Sequence, residues 1–312
     1  MTTPKYAEEN VDITTTVVSG VVEKVVVPAG LRMNWIDIEG KVVFVQADDE
    51  VIVYALNKER FSTDGFLVYP VDVIGYEYFT VSYTPTNSYT EFAIGARYDD
   101  TQVSMRLPNR RNSIPIRVEW LGETYSNGDW INITLQAFES FQCASYDKAD
   151  LTATYISSDK PIAVFSGNAR TWVGESPSRD HLAIQLPPVQ AYGMRFPIVP
   201  VPARTVGDIV RVVAVEDMTT ITVTMDDEQY YEIGTREHYV EFVVPSDNFT
   251  FVMSDKPILV TQISQSQQEK SEPGDPTMLV VTSSSQYTAD YVFTTPSSSI
   301  DGRNAIDKSY FA

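Results

Sequence analysis

Three aspartates recur at equivalent places in this sequence. Asp64, Asp180 and Asp275 each end a polar loop and precede an apolar run, in segments that read STDGF, SRDHL and PGDPT. Carboxylates at such positions accept backbone N–H groups and fix a loop before a strand. The other interpretation is a ligand or cation site, because hard cations prefer several carboxylate and carbonyl oxygens. No dense D-x-D-x-D loop accompanies them, so we predict no metal site and no cofactor.

Catalytic chemistry is poorly supported by the residue types available. The sequence has two histidines, His181 and His238, to serve as proton shuttles. His181 directly follows Asp180, but neighbouring residues on a strand point to opposite faces, so this carboxylate is badly placed to orient that ring. The sequence contains no G-x-S-x-G elbow, phosphate-binding glycine loop or H-E-x-x-H pair. We therefore predict no catalytic residues and a protein that is not an enzyme.

Tryptophans are candidate contacts for a partner, because they combine a large apolar area with a polar tip. Trp172 lies in a long polar loop, residues 168–179, where an exposed aromatic side chain is a plausible anchor for a partner. The other three fall in strand-like runs and are predicted to lie in the core: Trp35, Trp120 and Trp130. The predicted ligand-binding residues are Trp172, Arg179, Asp180, Asp64 and Asp275.

The charge balance excludes some partners. The net charge is −19, from 42 acidic and 23 basic residues, so we expect neither nucleic-acid binding nor attraction to an anionic membrane. No run of eighteen apolar residues is present, and the N-terminus lacks the pattern of a signal peptide. A single cysteine, Cys143, leaves no internal disulfide. Asn132 and Asn248 begin glycosylation sequons, which suit a secreted protein.

The elements that carry these residues are predicted to be strands. Apolar runs bounded by Gly, Pro, Asp and Ser appear every ten residues or so, and helical periodicity is almost absent. The segments QADDEVIVYALN, SSDKPIAVFSGN and MSDKPILVTQIS align, each interpreted as a turn followed by a buried strand. In the last two, Ser158–Pro161 and Ser254–Pro257 are predicted hairpin turns. Each aligned segment leads to one of the three aspartates.

The recurrence predicts one repeated all-β domain over residues 1–312. We predict three repeats of about a hundred residues, over about 40–150, 151–248 and 249–312, with N-terminal strands within 11–30 completing the third. Such completion closes a ring and removes exposed sheet edges. With two four-stranded blades per repeat, the prediction is a closed six-bladed β-propeller. Packed β-sandwich modules are the alternative fold.

Over about residues 40–296 the chain resembles the N-terminal domain of the IgG Fc-binding protein family. The resemblance rests on ADDEVIVYALN, STDGFLVYPVDVIGYEYFTVSY, DLTATYISSDKPIAVFSGN, RDHLAIQLPPVQAYGMRFPIVPV, VVAVEDMTTITV and GDPTMLVV, in the family's order. It implies a secreted or extracellular, non-enzymatic module for recognition or adhesion. Such modules are often joined to mucin-type domains, and their expected partner is a protein or glycan.

One departure from the family concerns the loop that contains Trp172. Family members often carry a cysteine pair around this loop, and residues 168–180 here contain none. A function that needs this loop to be held by a disulfide is therefore not expected of this chain. Two further functions remain as alternatives: a propeller-type hydrolase or lyase with an acidic pocket, and a structural matrix component.

Overall fold

The computed structural model describes residues 1–6, 8, 10–33, 35–59, 62–86, 88–110, 113–176, 178–267 and 274–292. Within these ranges the regular structure is strand, with 3₁₀ turns at Ala29–Leu31, Val189–Ala191 and Ser284–Gln286. The predicted all-β class is confirmed. In the same ranges no helix is long and apolar enough to cross a membrane.

The N-terminal part of the chain forms little sheet. Its strands are β1 (Asp37–Glu39), β2 (Val53–Glu59) and β3 (Ser62–Val68). β2 and β3 form a two-stranded antiparallel hairpin, with Tyr54 opposite Leu67, whereas β1 joins the large sheet that follows. Among residues 11–30 the structure contains no strand, and Asp12 makes an isolated bridge to Thr2. The N-terminal strands predicted there are therefore absent.

The first large sheet has eight strands and is built around one long strand. The new strands are β4 (Gly75–Phe79), β5 (Thr90–Ala96), β6 (Thr101–Arg106), β7 (Val118–Trp120), β8 (Glu123–Tyr125), β9 (Trp130–Leu135), β10 (Ser140–Ala144), β11 (Tyr155–Thr171) and β12 (Asp180–Gln185). The order is β1-β10-β5-β11-β6-β9, and β4 and β12 also pair with β11. β7 and β8 form a separate small hairpin.

The second large sheet has seven strands, also around one long strand. They are β13 (Gly193–Ile198), β14 (Asp208–Ala214), β15 (Thr219–Thr224), β16 (Glu228–Ile233), β17 (Tyr239–Val244), β18 (Thr250–Ile263) and β19 (Met278–Val280). The order is β16-β15-β18-β14-β17, and β13 and β19 also pair with β18. Every pairing in both sheets is antiparallel.

The two sheets follow the same plan. The series β10-β5-β11-β6-β9 corresponds strand for strand to β17-β14-β18-β15-β16. The register corresponds as well, because Ala93 lies opposite Phe165 in the first sheet and Arg211 lies opposite Thr261 in the second. These two pairs occupy aligned positions in the sequence, so the sequence similarity between the two segments reflects an equivalent pairing of strands.

The two predicted turns containing Asp-Lys-Pro are not turns, and this corrects the interpretation of the sequence. Ser158–Pro161 lies inside β11 and Ser254–Pro257 inside β18. The pairing of β11 shifts register between Ser157 and Ile162, which is where a strand tolerates a proline. Each long strand therefore bends at its proline and pairs with different neighbours before and after the bend.

The lysine of the same motif secures the neighbouring turn in both sheets. Lys160 Nζ donates to the carbonyl of Asp99 at 2.5 Å, between β5 and β6. Lys256 Nζ donates to the carbonyl of Asp217 at 2.6 Å, between β14 and β15. The motif thus has the same role in both sheets, where its lysine holds the adjacent hairpin.

The predicted propeller is not what the structure contains. Instead of four-stranded blades around an axis, the described strands form two curled sheets, each centred on a bent strand that pairs on both edges before and after its proline. The closed ring is also missing, because residues 11–30 form no strands that could complete a third repeat. Alternating apolar runs specify strands but do not specify how the strands are grouped, and this is why the prediction failed.

β14 joins the two sheets because it is buried on both faces and contributes to two hydrophobic clusters. Ile209 and Val213 pack with the first sheet, while Val210 and Val212 pack inside the second sheet. A strand that is apolar on both faces is typical of a central, covered position. This arrangement places the second sheet firmly against the first.

Candidate recognition surface

Three hairpins carry the three aspartates to one region of the molecule. Asp64 lies in β3, Asp180 begins β12, and Asp275 lies shortly before β19. β12 pairs with β11, and β19 pairs with β18, as β3 pairs with β2. We call the segments around these residues, namely 62–65 at the start of β3, 172–176, 178–180, 264–267 and 274–277, the aspartate loops.

Asp180 ties the first hairpin to the second. Its Oδ1 accepts the backbone N–H of Thr63 at 2.7 Å and that of His181 at 2.8 Å, and it also accepts the hydroxyl of Ser62. The residue is buried. A carboxylate that receives this many hydrogen bonds holds the backbone around it, so Asp180 has a positioning role in the loops.

Asp64 ties the first hairpin to both of the others. Its Oδ2 accepts the N–H of Ala183 at 2.9 Å, and its Oδ1 accepts the hydroxyl of Thr277 at 2.8 Å. Burial raises the pKa of Asp64 to about 6, and the charge of Asp180 adds to the rise, although the hydrogen bonds lower the pKa. The structure therefore joins residues from three aligned segments through one buried carboxyl group.

Asp275 differs from the other two aspartates because the residue is exposed. Its carbonyl accepts the hydroxyl of Ser264 at 3.1 Å. Partial burial of the carboxylate raises its pKa, as does the charge of Asp180, whereas Arg204 lowers it. Of the three aspartates, Asp275 is the one whose carboxylate remains available to a partner.

The loop that carries Trp172 is clamped by a serine in place of a disulfide. The Ser266 hydroxyl accepts the N–H of Val173 at 2.9 Å and donates to the carbonyl of Ser178 at 2.6 Å. The Ser266 N–H donates to the carbonyl of Val173 at 3.0 Å. Ser266 is fully buried, so these hydrogen bonds are shielded from water. We call this arrangement the Ser266 clamp.

Asn168 was predicted to begin the same loop, but residues 168–171 belong to β11, which leads into it. The side-chain oxygen of Asn168 accepts the N–H of Tyr83 at 2.7 Å, and its amide donates to the carbonyl of Tyr83 at 2.7 Å. Asn168 is fully buried. Asn168 itself lies within β11, opposite Thr90 and Leu182, so its side-chain amide acts as a strand partner for Tyr83, and the loop begins only after Thr171.

Trp172 and Arg179 lie together on the outer side of the clamped loop. The Arg179 guanidinium carbon lies 4.9 Å from the centroid of the Trp172 ring, which is within cation–π distance. Both residues are partly exposed. The structure thus brings two predicted site residues into direct contact, next to Asp180 in the chain.

The geometry around His181 does not form a proton relay. Asp180 accepts the backbone N–H of His181, whereas the ring nitrogens of His181 face other residues. The ring nitrogens lie 3.1 Å from the Asn57 amide and 3.3 Å from the carbonyl of Ala169. Burial lowers the pKa of His181, which favours the neutral ring. This histidine therefore links β2 to β11.

Metal ligation and thiol chemistry find no geometric support in the described ranges. Among those residues, no group of three or more His, Cys, Asp or Glu side chains is arranged to hold a metal ion. Cys143 is fully buried in the first core, and burial raises the pKa of its thiol.

Trp130 contradicts its predicted core position, because 46% of its surface is exposed. It begins β9, where Ile131, Ile133 and Leu135 are buried. The signal was present in the sequence W-I-N-I-T-L, since strict alternation places Trp130 on the polar face with the asparagine and threonine. Trp35 and Trp120 are partly buried against neighbouring aromatic rings.

A charged depression at the junction of the sheets was also missed at the sequence level. It has a volume of about 540 Å³ and is lined by residues that include Arg106, Arg236 and Glu237. Arg106 lies opposite Trp130 in the pairing of β6 with β9 and forms an ion pair with Glu237 at 2.6 Å. Residues so distant in sequence give no local signal of their association.

Arg211 is the third feature that sequence reasoning missed. It lies in β14, is 1% exposed, and donates from Nη1 to Asp150 at 2.8 Å and from Nε to Glu241 at 2.6 Å. Its guanidinium lies 4.4 Å from the ring centroid of Tyr239. Burial alone would raise the pKa of Asp150, but the nearby Arg211 and Arg110 lower it to about 2. The signal was a lone charge in the apolar run I-V-R-V-V-A.

Comparison with protein families decides the affiliation of the chain. The model of the family described as "IgGFc binding protein" matches residues 64–309. The chain belongs to this family. The matched region includes the three aspartates, the second large sheet, the first large sheet apart from β1, and the Ser266 clamp. The resemblance inferred from the sequence motifs is confirmed.

A human relative of the family is similar to part of this chain. The human protein named "IgGFc-binding protein" is 27% identical over 174 residues, which is 55% of this chain and 3% of that protein. The chain therefore spans a small fraction of this relative's length. No solved structure matches the chain.

Proposed function

We propose that this chain is a non-catalytic recognition module that acts outside the cell and binds a partner protein through the aspartate loops. Membership in the IgGFc-binding family supports binding as the activity, and the human relative's name supports a protein as the partner. The extracellular setting follows from the resemblance to that family. The proposal includes adhesion when the partner is itself fixed to a surface.

The observation that carries the proposal is the clamped loop with Trp172 and Arg179 on its outer side. Aromatic and arginine side chains contribute most to binding affinity where they are partly ordered before binding, because little conformational entropy is then lost. The Ser266 clamp provides this order at Val173 and Ser178, on both sides of the loop tip. The loop therefore presents a fixed contact pair without a disulfide.

The roles of the three aspartates differ within this proposal. Asp64 and Asp180 are buried and hydrogen-bonded to backbone, so we assign them to positioning the loops. Asp275 is exposed and adds a carboxylate to the contact surface. A partner that complements Asp275 presents a cation, in agreement with the net charge of −19.

The hydrolase or lyase alternative is not part of the proposal. It depended on an acidic central pocket in a propeller, and the described strands form no such ring. His181 is hydrogen-bonded to Asn57 and Ala169, as described above. Asn132 remains a proposed glycosylation site because it is exposed on β9, and Asn248 remains one just ahead of β18.

The experiment is a direct binding screen with two arms. The folded chain is passed over immobilised human immunoglobulin Fc and, separately, over a glycan array. The proposal expects saturable binding to a protein, with Fc as the first probe because of the human relative's name. Binding to the glycan array alone would show that the partner is a glycan and not a protein. Self-association without any added partner would favour the structural matrix alternative.

A further inference from the structure

Among the described residues, the β2–β3 hairpin lacks a neighbouring strand that the equivalent hairpins have in both large sheets. β11 and β18 are the strands that align with β2, and each lies in the middle of its sheet. β5 covers the second edge of β11, and β14 covers the second edge of β18. In the part of the chain that the structure describes, β2 pairs with β3 and with no other strand.

Side-chain exposure on β2 agrees with a missing neighbour. Tyr54 is 49% exposed and Leu56 is 54% exposed, whereas the aligned residues on β18, Thr261 and Ile263, are fully buried. Leu67, opposite Tyr54 in the hairpin, is 45% exposed. Large apolar side chains grouped on one face in this way mark an interaction surface.

This open edge differs from the open edges of β9 and β16. β9 and β16 end their sheets at corresponding places, so their open edges belong to the common plan. β2 is open where the same plan places a central strand. An unpaired strand edge offers N–H and C=O groups to any extended segment that can align with it.

We propose that the free edge of β2 binds an extended segment of a partner protein, which adds as an antiparallel strand. The register is set by the two sheets of this chain: the residue opposite Tyr54 corresponds to Ala93 in β5 and to Arg211 in β14. The segment carries apolar residues in alternation, to cover Tyr54 and Leu56. The binding group in this proposal is the backbone edge of β2, whereas the proposed function relies on the side chains of Trp172 and Arg179.

Charge near the edge specifies the segment further. Asp48, Asp49 and Glu50 precede β2. A second copy of a chain with net charge −19 is repelled at this edge, whereas a strand with flanking lysines or arginines is attracted. The chemistry therefore favours a partner strand of a different protein with basic flanks.

The test uses a defined peptide with the full chain. The probe is a labelled peptide with the sequence of residues 208–215, flanked by two lysines at each end, and a scrambled peptide is its control. We expect saturable binding of the ordered peptide, reduced about tenfold by Tyr54→Lys or Leu56→Lys, because a lysine on an edge strand opposes pairing. Tyr230→Lys is the matched control, because Tyr230 is 68% exposed on β16, the edge strand of the second sheet. We expect this variant to leave peptide binding unchanged.

The register is tested by disulfide trapping. Tyr54→Cys adds an accessible thiol to a chain whose own Cys143 is fully buried. Peptides with a cysteine at successive positions should trap fastest when the cysteine replaces the arginine that corresponds to Arg211. No saturable binding up to about 1 mM peptide, or equal loss with Tyr230→Lys, would overturn the proposal. If the chain forms dimers in sedimentation experiments and Tyr54→Lys abolishes them, the segment that binds β2 belongs to a second copy of the chain and not to a different protein.

Discussion

Arg211 of β14 donates a hydrogen bond of 2.8 Å to the carboxylate of Asp150, which connects the second sheet to the first. The same guanidinium donates to the carbonyl of Ser82 at 2.5 Å. The position of the second sheet against the first therefore depends on one buried cation as well as on apolar packing.

Arg211→Met should destabilise the fold by about 3–5 kcal/mol, because it leaves Asp150 and Glu241 without their buried cation. Urea unfolding measures this change in the free energy of unfolding. Arg32→Met is the matched control, since Arg32 pairs with Glu59 at an exposed site and should cost less than about 1 kcal/mol. Equal, small losses in the two variants would show that the ion pair does not hold the sheets together.

Asp64 should make the fold more stable as the pH falls from 7 towards 5. Its folded pKa of about 6 is above the unfolded value, so the folded state takes up a proton first and its buried charge is removed. The predicted gain from this group is about 2–3 kcal/mol, complete below pH 4 and absent above pH 7.

Asp64→Asn isolates this contribution. The difference in unfolding free energy between the wild type and the variant should change with pH across 4–7, whereas contributions from other titrating groups cancel. A pH-independent difference would show that the pKa of Asp64 is not raised. Carboxyl NMR of Asp64 gives an independent value for comparison with about 6.

Lys160→Met and Lys256→Met should destabilise the fold by similar amounts, about 1 kcal/mol each. The reason is the same in both cases: each lysine donates to a carbonyl of the preceding β-hairpin, of Asp99 or of Asp217. Methionine keeps most of the side-chain volume and removes the donor. Thermal or urea unfolding measures both variants, and a large loss in one with none in the other would contradict the equivalence of the two sheets.

Ser266→Ala should loosen the loop of Trp172 while costing about 1–3 kcal/mol of stability, because a buried N–H and a buried carbonyl lose their partner. Hydrogen exchange at Val173 should become faster. Ser113→Ala, at an exposed serine, is the control and should leave that exchange unchanged. Unaltered protection at Val173 in Ser266→Ala would show that the loop is ordered by other contacts.

The sequence predicted the strand content because alternation and turn residues act locally, but it did not predict the grouping of strands. Pro161 and Pro257 indicated turns, yet both lie at bends of continuous strands whose other neighbours compensate for the missing N–H. Asp64, Asp180 and Asp275 were recognisable as equivalent positions. Their convergence through Thr277 and Ala183 depends on packing of distant segments and left no local trace.

The exposure of Trp130 was not predicted, although the sequence contained the signal for it. Its place in W-I-N-I-T-L assigns it to the polar face, and 46% of its surface is indeed exposed. The Ser266 clamp could not be predicted in the same way, because Val173 and Ser178 are far from Ser266 in the chain. A serine in a polar segment carries no signal that it will be buried.

The most direct test of the central claim is the dissociation constant for the protein partner that the binding screen identifies, with human immunoglobulin Fc as the first probe, of the wild type, Trp172→Ala and Trp130→Ala, measured side by side. Both residues are partly exposed tryptophans, so the two variants control for general loss of aromatic surface. The account predicts that Trp172→Ala weakens binding by about tenfold or more and that Trp130→Ala leaves it unchanged. Unchanged binding in Trp172→Ala, with loss in Trp130→Ala, would contradict it and move the recognition surface to the junction of the sheets.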